Sequence, residues 1–585
     1  MTHWDKNDRQ TLTDHKHHWY FGQVSAATLL PKLEKHLLTK DETALWQLVW
    51  LNNNGQAVIG LLPKVSWSVH VDSAVYADTS MPMPMPMPNP NPQPPRYHIV
   101  KTYRDNRPKA MADDYVYTDD YSHVTVKNMS YDEWQNELIR YSEDHNRDEV
   151  TLLEDNLVPY YSHGLMGFIG YDISACELSP HHPICHAEQP CAVLGHYDIY
   201  LAADAQAGWI LHLKPTDSTI NQTSLKKSTL IANLITYLDE LDIQLSTIEQ
   251  SKAPLTPLIL KAYWQKRDYE QAFERTQYYL QAGDCYQINL TQAWHSQRLD
   301  SALKVKNERR LIDYLPALQH DTKAPFGGYL SINTLSINTL SIDTLNTTPS
   351  SMKHADSGSL ASNKDKIVNT FELLSCSPEL FFTFYNKGNG QHYIRTKPIK
   401  GTLPRGSTPE QDKALKQQLS DSLKDRAENV MIVDLLRNDL GKYAKIGSVK
   451  VPQLFAIESF SNVHHMVSTI TAELKTDTHP LAVLFGSLPA GSITGTPKKR
   501  AVEIIAELEK TPRGAYCGTM GYMNFDGSGQ WNVLIRTLQS NTTAAGETDV
   551  SLWAGGGITI ASDCAAEYQE CLDKVGNLLT VLSRD

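Results

Sequence analysis

Lys400 lies in the stretch Lys397-Pro398-Ile399-Lys400-Gly401-Thr402-Leu403-Pro404-Arg405-Gly406, after an aromatic run from Glu379 to Tyr385 and a second run from His392 to Ile394. Strand-like runs closed by Pro404 and Gly406 describe a strand edge entering a tight turn, so the lysine is held on stiff backbone. A lysine amine adds to an electrophile when burial or neighbouring groups keep it neutral. Most lysines are instead solvated surface charges. What sets this one apart is the chemistry that follows it in the chain.

Asp425 and Glu428 stand three apart in a stretch from Pro409 to Lys442 that reads as helix, with Gly441 as its stop signal. Glu567 and Glu570 stand three apart in a second helical stretch, Asp563 to Leu582, whose apolar positions include Cys571, Val575, Leu578 and Leu582. Each pair shares one helix face. Alone, either pair is the pattern of a solvated face. Two such helices together supply an oxygen-only site for a hard divalent ion, where magnesium keeps waters and accepts a substrate carboxylate.

Pro489 to Arg500 is a Gly/Ser/Thr loop running into a helix that starts near Pro497. Such a helix start favours anions, but the spacing is not that of a phosphate loop, so ATP is not implied. Arg513 to Tyr522 and Trp531 to Leu538 read as paired strands. Arg536 is a natural bidentate partner for a carboxylate, with Tyr516 beside it. Gly555, Gly556 and Gly557 bring bare backbone close to a ligand.

The elements that must carry these groups fill a chain of 585 residues, long enough for two domains or one large two-lobed unit. A formal net charge of -12 argues against nucleic acid as the main partner. The N-terminus has no apolar signal-like core and no run reaches the ~18 apolar residues of a membrane span, so a cytosolic protein is expected. Eight cysteines in this length suit a reducing compartment. Cys176, Cys185 and Cys191 lie among His181, His182, His186 and His196, but their spacings match no zinc pattern, and an ordinary His-rich loop is expected.

In the first 250 residues, Leu48 to Leu51 and Val58 to Leu62 flank Asn52-Asn53-Asn54-Gly55, a hairpin signal. Residues 81–95 are a Met-Pro and Asn-Pro tract, expected as an exposed insertion. His163 to Asp172 reads as a glycine-spaced strand packed closely between sheets, without the strand-to-helix context of a nucleotide loop. Lys226 to Leu241 reads as an amphipathic helix, and the boundary between an N-terminal lobe, 1–250, and a catalytic domain, 251–585, is placed in the polar stretch Ser246 to Pro257. Helix over Tyr269 to Ala282 and strand over Cys285 to Gln292 follow. Ser331-Ile332-Asn333-Thr334-Leu335 recurs in the next ten residues, which reads as a duplicated loop inserted over 331–365. It interrupts a hairpin between Tyr329-Leu330 and Phe371 to Phe382.

Phe371 to Glu379, Pro398 to Arg405, Glu428 to Gly441, His464 to Leu474, Pro489 to Glu503, Gly514 to Thr537 and Ala554 to Glu570, taken in order, resemble the chorismate-utilising enzyme family. The resemblance is strong over about 262–583 and partial before, chiefly around Gly164 to Asp172. It implies an α/β (α+β) fold of two lobes, with large, mainly antiparallel sheets and helices packed outside. Members that make anthranilate carry a small residue where this chain has Lys400, and members that aminate chorismate at C4 carry lysine. The resemblance therefore implies Mg²⁺-dependent, transaminase-class amination of chorismate to 4-amino-4-deoxychorismate, on the branch to 4-aminobenzoate and folate. Lys400 adds to C2 and is later displaced.

By the same resemblance Glu379 is the general acid and His465 an active-site histidine. Glu428 and Glu570 are direct Mg²⁺ ligands, and Asp425 and Glu567 lie behind them through water. Thr402, Lys498, Tyr516, Arg536 and the backbone of Gly555, Gly556 and Gly557 bind the substrate carboxylates and ring. Ammonia comes from a glutamine amidotransferase subunit, since no Cys-His-Glu glutaminase is apparent in this chain. Two departures stand out: Leu380 follows Ser377-Pro378-Glu379 where the family has a basic or aromatic residue, and Asp425 is shorter than the usual glutamate. An anthranilate-forming enzyme and a catalytically silent chorismate-binding subunit are the alternatives; Lys400 opposes the first, and Glu379, Lys400 and both acidic pairs argue against the second.

Overall fold

The structure, a computed structural model, describes residues 18–38, 47–71, 95–104, 116–118, 122–146, 159–204, 208–213, 223–247, 256–296, 310–335, 368–387, 390–459, 463–543 and 546–584. The Met-Pro tract lies outside them except for Pro95, as does the 331–365 insertion beyond Leu335. The strands form two large sheets, one of twelve strands and one of thirteen, and every pairing described is antiparallel. Both sheets take strands from each side of residue 250: Gln47–Leu51 pairs with Gly328–Leu335 in the first, and Gly164–Ile169 pairs with Thr519–Asn524 in the second.

The sequence patterns explain the pairings that hold the centre. Gly164–Ile169 is buried along its whole length, so both its faces carry apolar side chains, and glycine appears where neighbouring backbone leaves no room for more. A Cβ on Gly167 would lie 1.9 Å from the Val193 carbonyl oxygen, on the adjacent strand of the same sheet. The close approach is thus within one sheet and not between two. The strand also runs directly through Gly170 into a helix, Tyr171–Leu178, a strand-to-helix passage the sequence pattern does not reveal. Asp172 in that helix is buried and accepts the backbone N–H groups of Arg513 and Gly514 at 3.0 and 2.9 Å.

Arg513 in turn meets Glu509 at 2.6 Å and the Asn289 carbonyl at 2.7 Å, with 1% of its surface exposed. Through the Asn289 carbonyl and the Asp172 carboxylate, this stretch ties the first half of the chain to the second. Arg513→Ala is expected to destabilise the fold by about 3–5 kcal/mol, because Glu509 is left charged and unpaired; chemical denaturation measures it.

Two further readings change. The stretch 409–442 is two helices, Pro409–Asp421 and Leu423–Gly441, broken at Ser422. Ser422 has extended backbone and its hydroxyl accepts the Asp425 N–H, so it caps a new helix whose first turn contains Asp425. Phe371 to Phe382 is not one strand: Val368–Ser375 belongs to the first sheet and Leu380–Asn386 to the second. The first copy of the five-residue repeat is strand as well, completing Gly328–Leu335 against Val368–Ser375.

Helix Leu423–Gly441 packs on strand Val463–Glu473 of the second sheet, and helix Cys564–Leu582 packs on strand Thr548–Ile558 of the first. Each sheet therefore presents one acidic helix.

Candidate active site

The site forms where the chain passes between the sheets. Cys376-Ser377-Pro378-Glu379 carries it from Val368–Ser375 to Leu380–Asn386, and Val533 to Arg536 carries it back from Gly529–Asn532 to Thr537–Thr542. The two passages are sewn together: Val533 N–H donates to the Glu379 carbonyl at 3.1 Å, and Cys376 N–H donates to the Arg536 carbonyl at 2.9 Å. Arg536 holds a left-handed backbone, φ +52°, at this crossing. Glu379 and Arg536 thus owe their placement to the crossings and not to the strands.

Lys400 stands on Ile399–Pro404, the edge strand of the second sheet, paired irregularly with Val463–Glu473. Its Nζ is 2.6 Å from Glu428 Oε2. Burial pulls its pKa down, but Glu428, Glu570 and Glu567 outweigh that and hold it above the ordinary lysine value. Three of the four acids of the sequence pairs thus act on Lys400, and the carboxyl of the fourth, Asp425, lies against the neighbouring Gly401, where a Cβ would sit 2.9 Å from Asp425 Cγ.

Two lysines that sequence reasoning missed complete the cluster. Lys574 donates to Glu570 Oε1 at 2.7 Å and to the Gly555 carbonyl at 2.7 Å. Burial would raise the Glu570 pKa, but the charge and hydrogen bond of Lys574 keep it below the usual carboxylate range. Lys424 reaches Glu567 Oε1 at 3.7 Å and Glu428 Oε1 at 4.0 Å. Glu567 is pushed up by burial, partly offset by the Ser562 hydroxyl that donates to it at 2.7 Å. The signal was present in the sequence: Lys424 is four residues before Glu428 and Lys574 four after Glu570, one helical turn in each case.

Glu379 is buried, and burial pushes its pKa up to about 7 against the opposing charges of Lys400 and Lys574 and hydrogen bonds from the Ser492 hydroxyl and the Ile399 N–H. A carboxyl so placed is a proton donor near neutrality. Leu380 beside it is buried and opens its strand opposite Asn532. His465 exchanges a hydrogen bond with Thr402 at 2.8 Å, and burial with the nearby Arg536 charge lowers its pKa to about 4, so it is neutral at physiological pH. Tyr516 is buried and stacks on Trp553, two residues before Gly555.

Gly555, Gly556 and Gly557 form the inner end of Thr548–Ile558, paired with Gln287–Ser296. A Cβ on Gly555 would lie 2.4 Å from the Leu290 carbonyl oxygen, whereas one on Gly556 would lie 2.7 Å from Glu567 Oε2, the movable end of a side chain. Gly555→Ala is therefore expected to cost fold stability, about 1–3 kcal/mol or more. Gly556→Ala is expected to leave the melting temperature nearly unchanged while displacing Glu567, which would weaken any Mg²⁺ held by the acidic helices. Thermal melts and Mg²⁺ titrations of the two variants separate these effects.

Lys498 stands apart from the cluster. Its ammonium donates to Asp439 Oδ2 at 2.6 Å and to the Ser487 carbonyl at 2.9 Å. It lines a separate cavity of about 350 Å³ with Leu435, Asn438, Lys442, Leu488 and Pro497. The structure gives no support to a carboxylate-binding role for Lys498 beside Arg536.

The donor chemistry at the acidic helices fits magnesium: carboxylate oxygens only, with Glu428 and Glu567 buried, and open space beside Glu567 that any side chain at residue 556 would fill. Among the described residues no three His, Cys, Asp or Glu side chains yet converge as a metal cage. The ammonium groups of Lys400 and Lys424 stand between the acids instead. The same holds for Cys176, Cys185 and Cys191 and their histidines, where no metal-holding group forms among the described residues and all three thiols are free.

Residues 108–348 and 364–580 match the family described as chorismate binding enzyme. The chain belongs to that family. Its relatives include aminodeoxychorismate synthase component 1 of Salmonella typhimurium, 36% identical over 422 residues, which are 71% of this chain and 76% of that protein. The Escherichia coli K12 protein of the same name is 35% identical over 72% of this chain and 77% of its own length. Among solved structures, anthranilate synthase component I from Streptococcus pneumoniae superimposes with a TM-score of 0.55 at 21% identity, covering 87% of this chain and 96% of that one. The menaquinone-specific isochorismate synthase MenF from Escherichia coli gives 0.53 at 14% identity, over 96% and 92%. The two antiparallel sheets with their helices are thus the fold of chorismate-utilising enzymes, as the sequence motifs imply. Among the described residues no helix is long and apolar enough to cross a membrane.

Proposed function

We propose that this chorismate-binding enzyme aminates chorismate at C4, giving 4-amino-4-deoxychorismate through a covalent adduct with Lys400. The observation that carries the reading is the joint placement of Lys400 and Glu379. A lysine on an edge strand lies among buried carboxylates, and the Ile399 N–H next to it in the chain holds a carboxyl that is half protonated near pH 7. The names of two relatives matched over more than two thirds of the chain point the same way.

In the reacting state the proton of Lys400 has passed to the Glu379 carboxylate, and the neutral amine forms a bond to C2. The ring double bonds shift, the C4–O bond breaks, and Glu379 protonates the departing hydroxyl, which leaves as water. Ammonia then forms a bond to C4, the double bonds shift back, the C2–N bond breaks, and Lys400 is released. In this reading Arg536, with neutral His465 nearby, would grip the enolpyruvyl carboxylate, and Thr402, Tyr516 and the Gly555–Gly557 backbone would wall the substrate. Glu428 and Glu570, backed by Glu567 and Asp425, would hold Mg²⁺, which when bound neutralises the ring carboxylate and fixes its orientation. Ammonia would come from a glutamine amidotransferase subunit, and the product would enter 4-aminobenzoate and folate synthesis in the cytoplasm.

The test is to incubate the protein with chorismate and MgCl₂ but without ammonium or glutamine, then map the adduct by peptide mass spectrometry. The expected result is modification of the peptide containing Lys400. Amination that proceeds with no adduct at Lys400 under any quench would overturn the covalent route.

A further inference from the structure

Of the three lysines in the acidic cluster, Lys400 makes a hydrogen-bonded contact with Glu428 at 2.6 Å, and Lys574 makes two, with Glu570 and the Gly555 carbonyl, at 2.7 Å each. Lys424 differs in three respects. It joins the two helices, lying 4.0 Å from Glu428 Oε1 and 3.7 Å from Glu567 Oε1, so it is held by charge at distances too long for hydrogen bonds. Its side chain is 59% exposed, against 9% for Glu428 and 4% for Glu567, so its head group has solvent to move into while the acids do not. It also sits in the first turn of Leu423–Gly441, two residues after the capping Ser422, where the helix dipole disfavours a cation. The two buried carboxylates offset that cost.

We propose that Lys424 is a displaceable counter-ion for the acidic helices. It neutralises Glu428 and Glu567 when no metal is bound and must leave when a divalent ion draws the two together. The proposal rests on the Mg²⁺ site of the preceding section and adds what fills that place beforehand. It accounts for two observations together: buried acids from two helices face each other, yet no three of the described acidic groups converge as a cage. Lys424 would then set the metal concentration at which the enzyme switches on, and keep the empty site from repelling itself apart.

Mg²⁺ binding to the purified full chain, measured by titration calorimetry without chorismate, tests the proposal. Lys424→Met and Lys424→Gln are expected to bind Mg²⁺ about fivefold more tightly than the wild type, the range of a partly exposed ion pair. In EDTA both should melt at a lower temperature than the wild type, and Mg²⁺ should restore more of their stability. Lys424→Arg should behave as the wild type does. Unchanged or weaker Mg²⁺ binding by Lys424→Met and Lys424→Gln, with a raised KM for chorismate, would overturn the proposal and make Lys424 a substrate contact. A wild type that gives no Mg²⁺ heat and no Mg²⁺-dependent melting shift would overturn the metal site itself, and the counter-ion with it.

Discussion

Lys400→Ala is expected to lower amination of chorismate on the order of 10³-fold or more, the scale on which removal of a covalent nucleophile acts. Chorismate should still bind, because Arg536, Tyr516 and the glycine backbone are untouched. The substitution also takes from Glu428 its 2.6 Å partner, so some loss of thermal stability accompanies it. Lys400→Gln, which keeps a hydrogen-bond donor at that position, separates the two effects. It should recover stability but not amination, as read by initial rates on folded protein with ammonium as the nitrogen source. Undiminished turnover by either variant would place the chemistry elsewhere.

Glu379→Gln is the second large effect, expected at about 10²–10⁴-fold in kcat, the usual contribution of a general acid. Its pH signature is specific. The reacting form needs neutral Lys400 and protonated Glu379, which together hold the same number of protons as ammonium and carboxylate. Glu379 is pushed up to about 7 and Lys400 lies above the ordinary lysine value. Below about pH 7 both groups carry a proton, and the rate falls as pH falls through that value. Above it the rate is level until the lysine range is reached. The glutamine variant should lose the inflection near 7 while keeping its residual rate, a pattern that general damage to the fold would not produce.

Much of this site was legible in the sequence because each group stands in a local pattern with a chemical meaning. Lys400 lies between strand and turn signals, Glu428 and Glu570 close acid-x-x-acid pairs, and Gly555 to Gly557 admit no other backbone use. The strand that carries Lys400 and the start of the last helix after Asp563 follow from those patterns directly, whereas the place of that strand at the sheet edge does not. What local patterns do not contain is which sheet a buried strand joins. Phe371 to Phe382 reads as one arm of a hairpin in the chain and is parts of two strands of different sheets in the fold, and Glu379 owes its position to that crossing. Lys424 and Lys574 escaped notice because a lysine one helical turn from a glutamate is the commonest pattern of an exposed helix face. The meaning of Lys424 comes from the second helix, where Glu567, 143 residues further on, faces it, and that of Lys574 from the Gly555 carbonyl on the neighbouring strand. Lys498 has a partner its loop does not reveal: the loop looks like an anion site, and Asp439, 59 residues earlier, lies 2.6 Å from its ammonium. The break at Ser422 was readable as a cap, since Asp425 follows it by three residues in the manner of a helix start.

The most direct measurement of the central claim is the product formed from chorismate, ammonium and MgCl₂ by the purified chain, separated by chromatography with and without EDTA. The account predicts 4-amino-4-deoxychorismate, lost when EDTA is present and absent with Lys400→Ala. Fluorescent anthranilate in its place would contradict the role given to Lys400, and bound but unconverted chorismate in the presence of metal and ammonium would contradict catalysis by this chain.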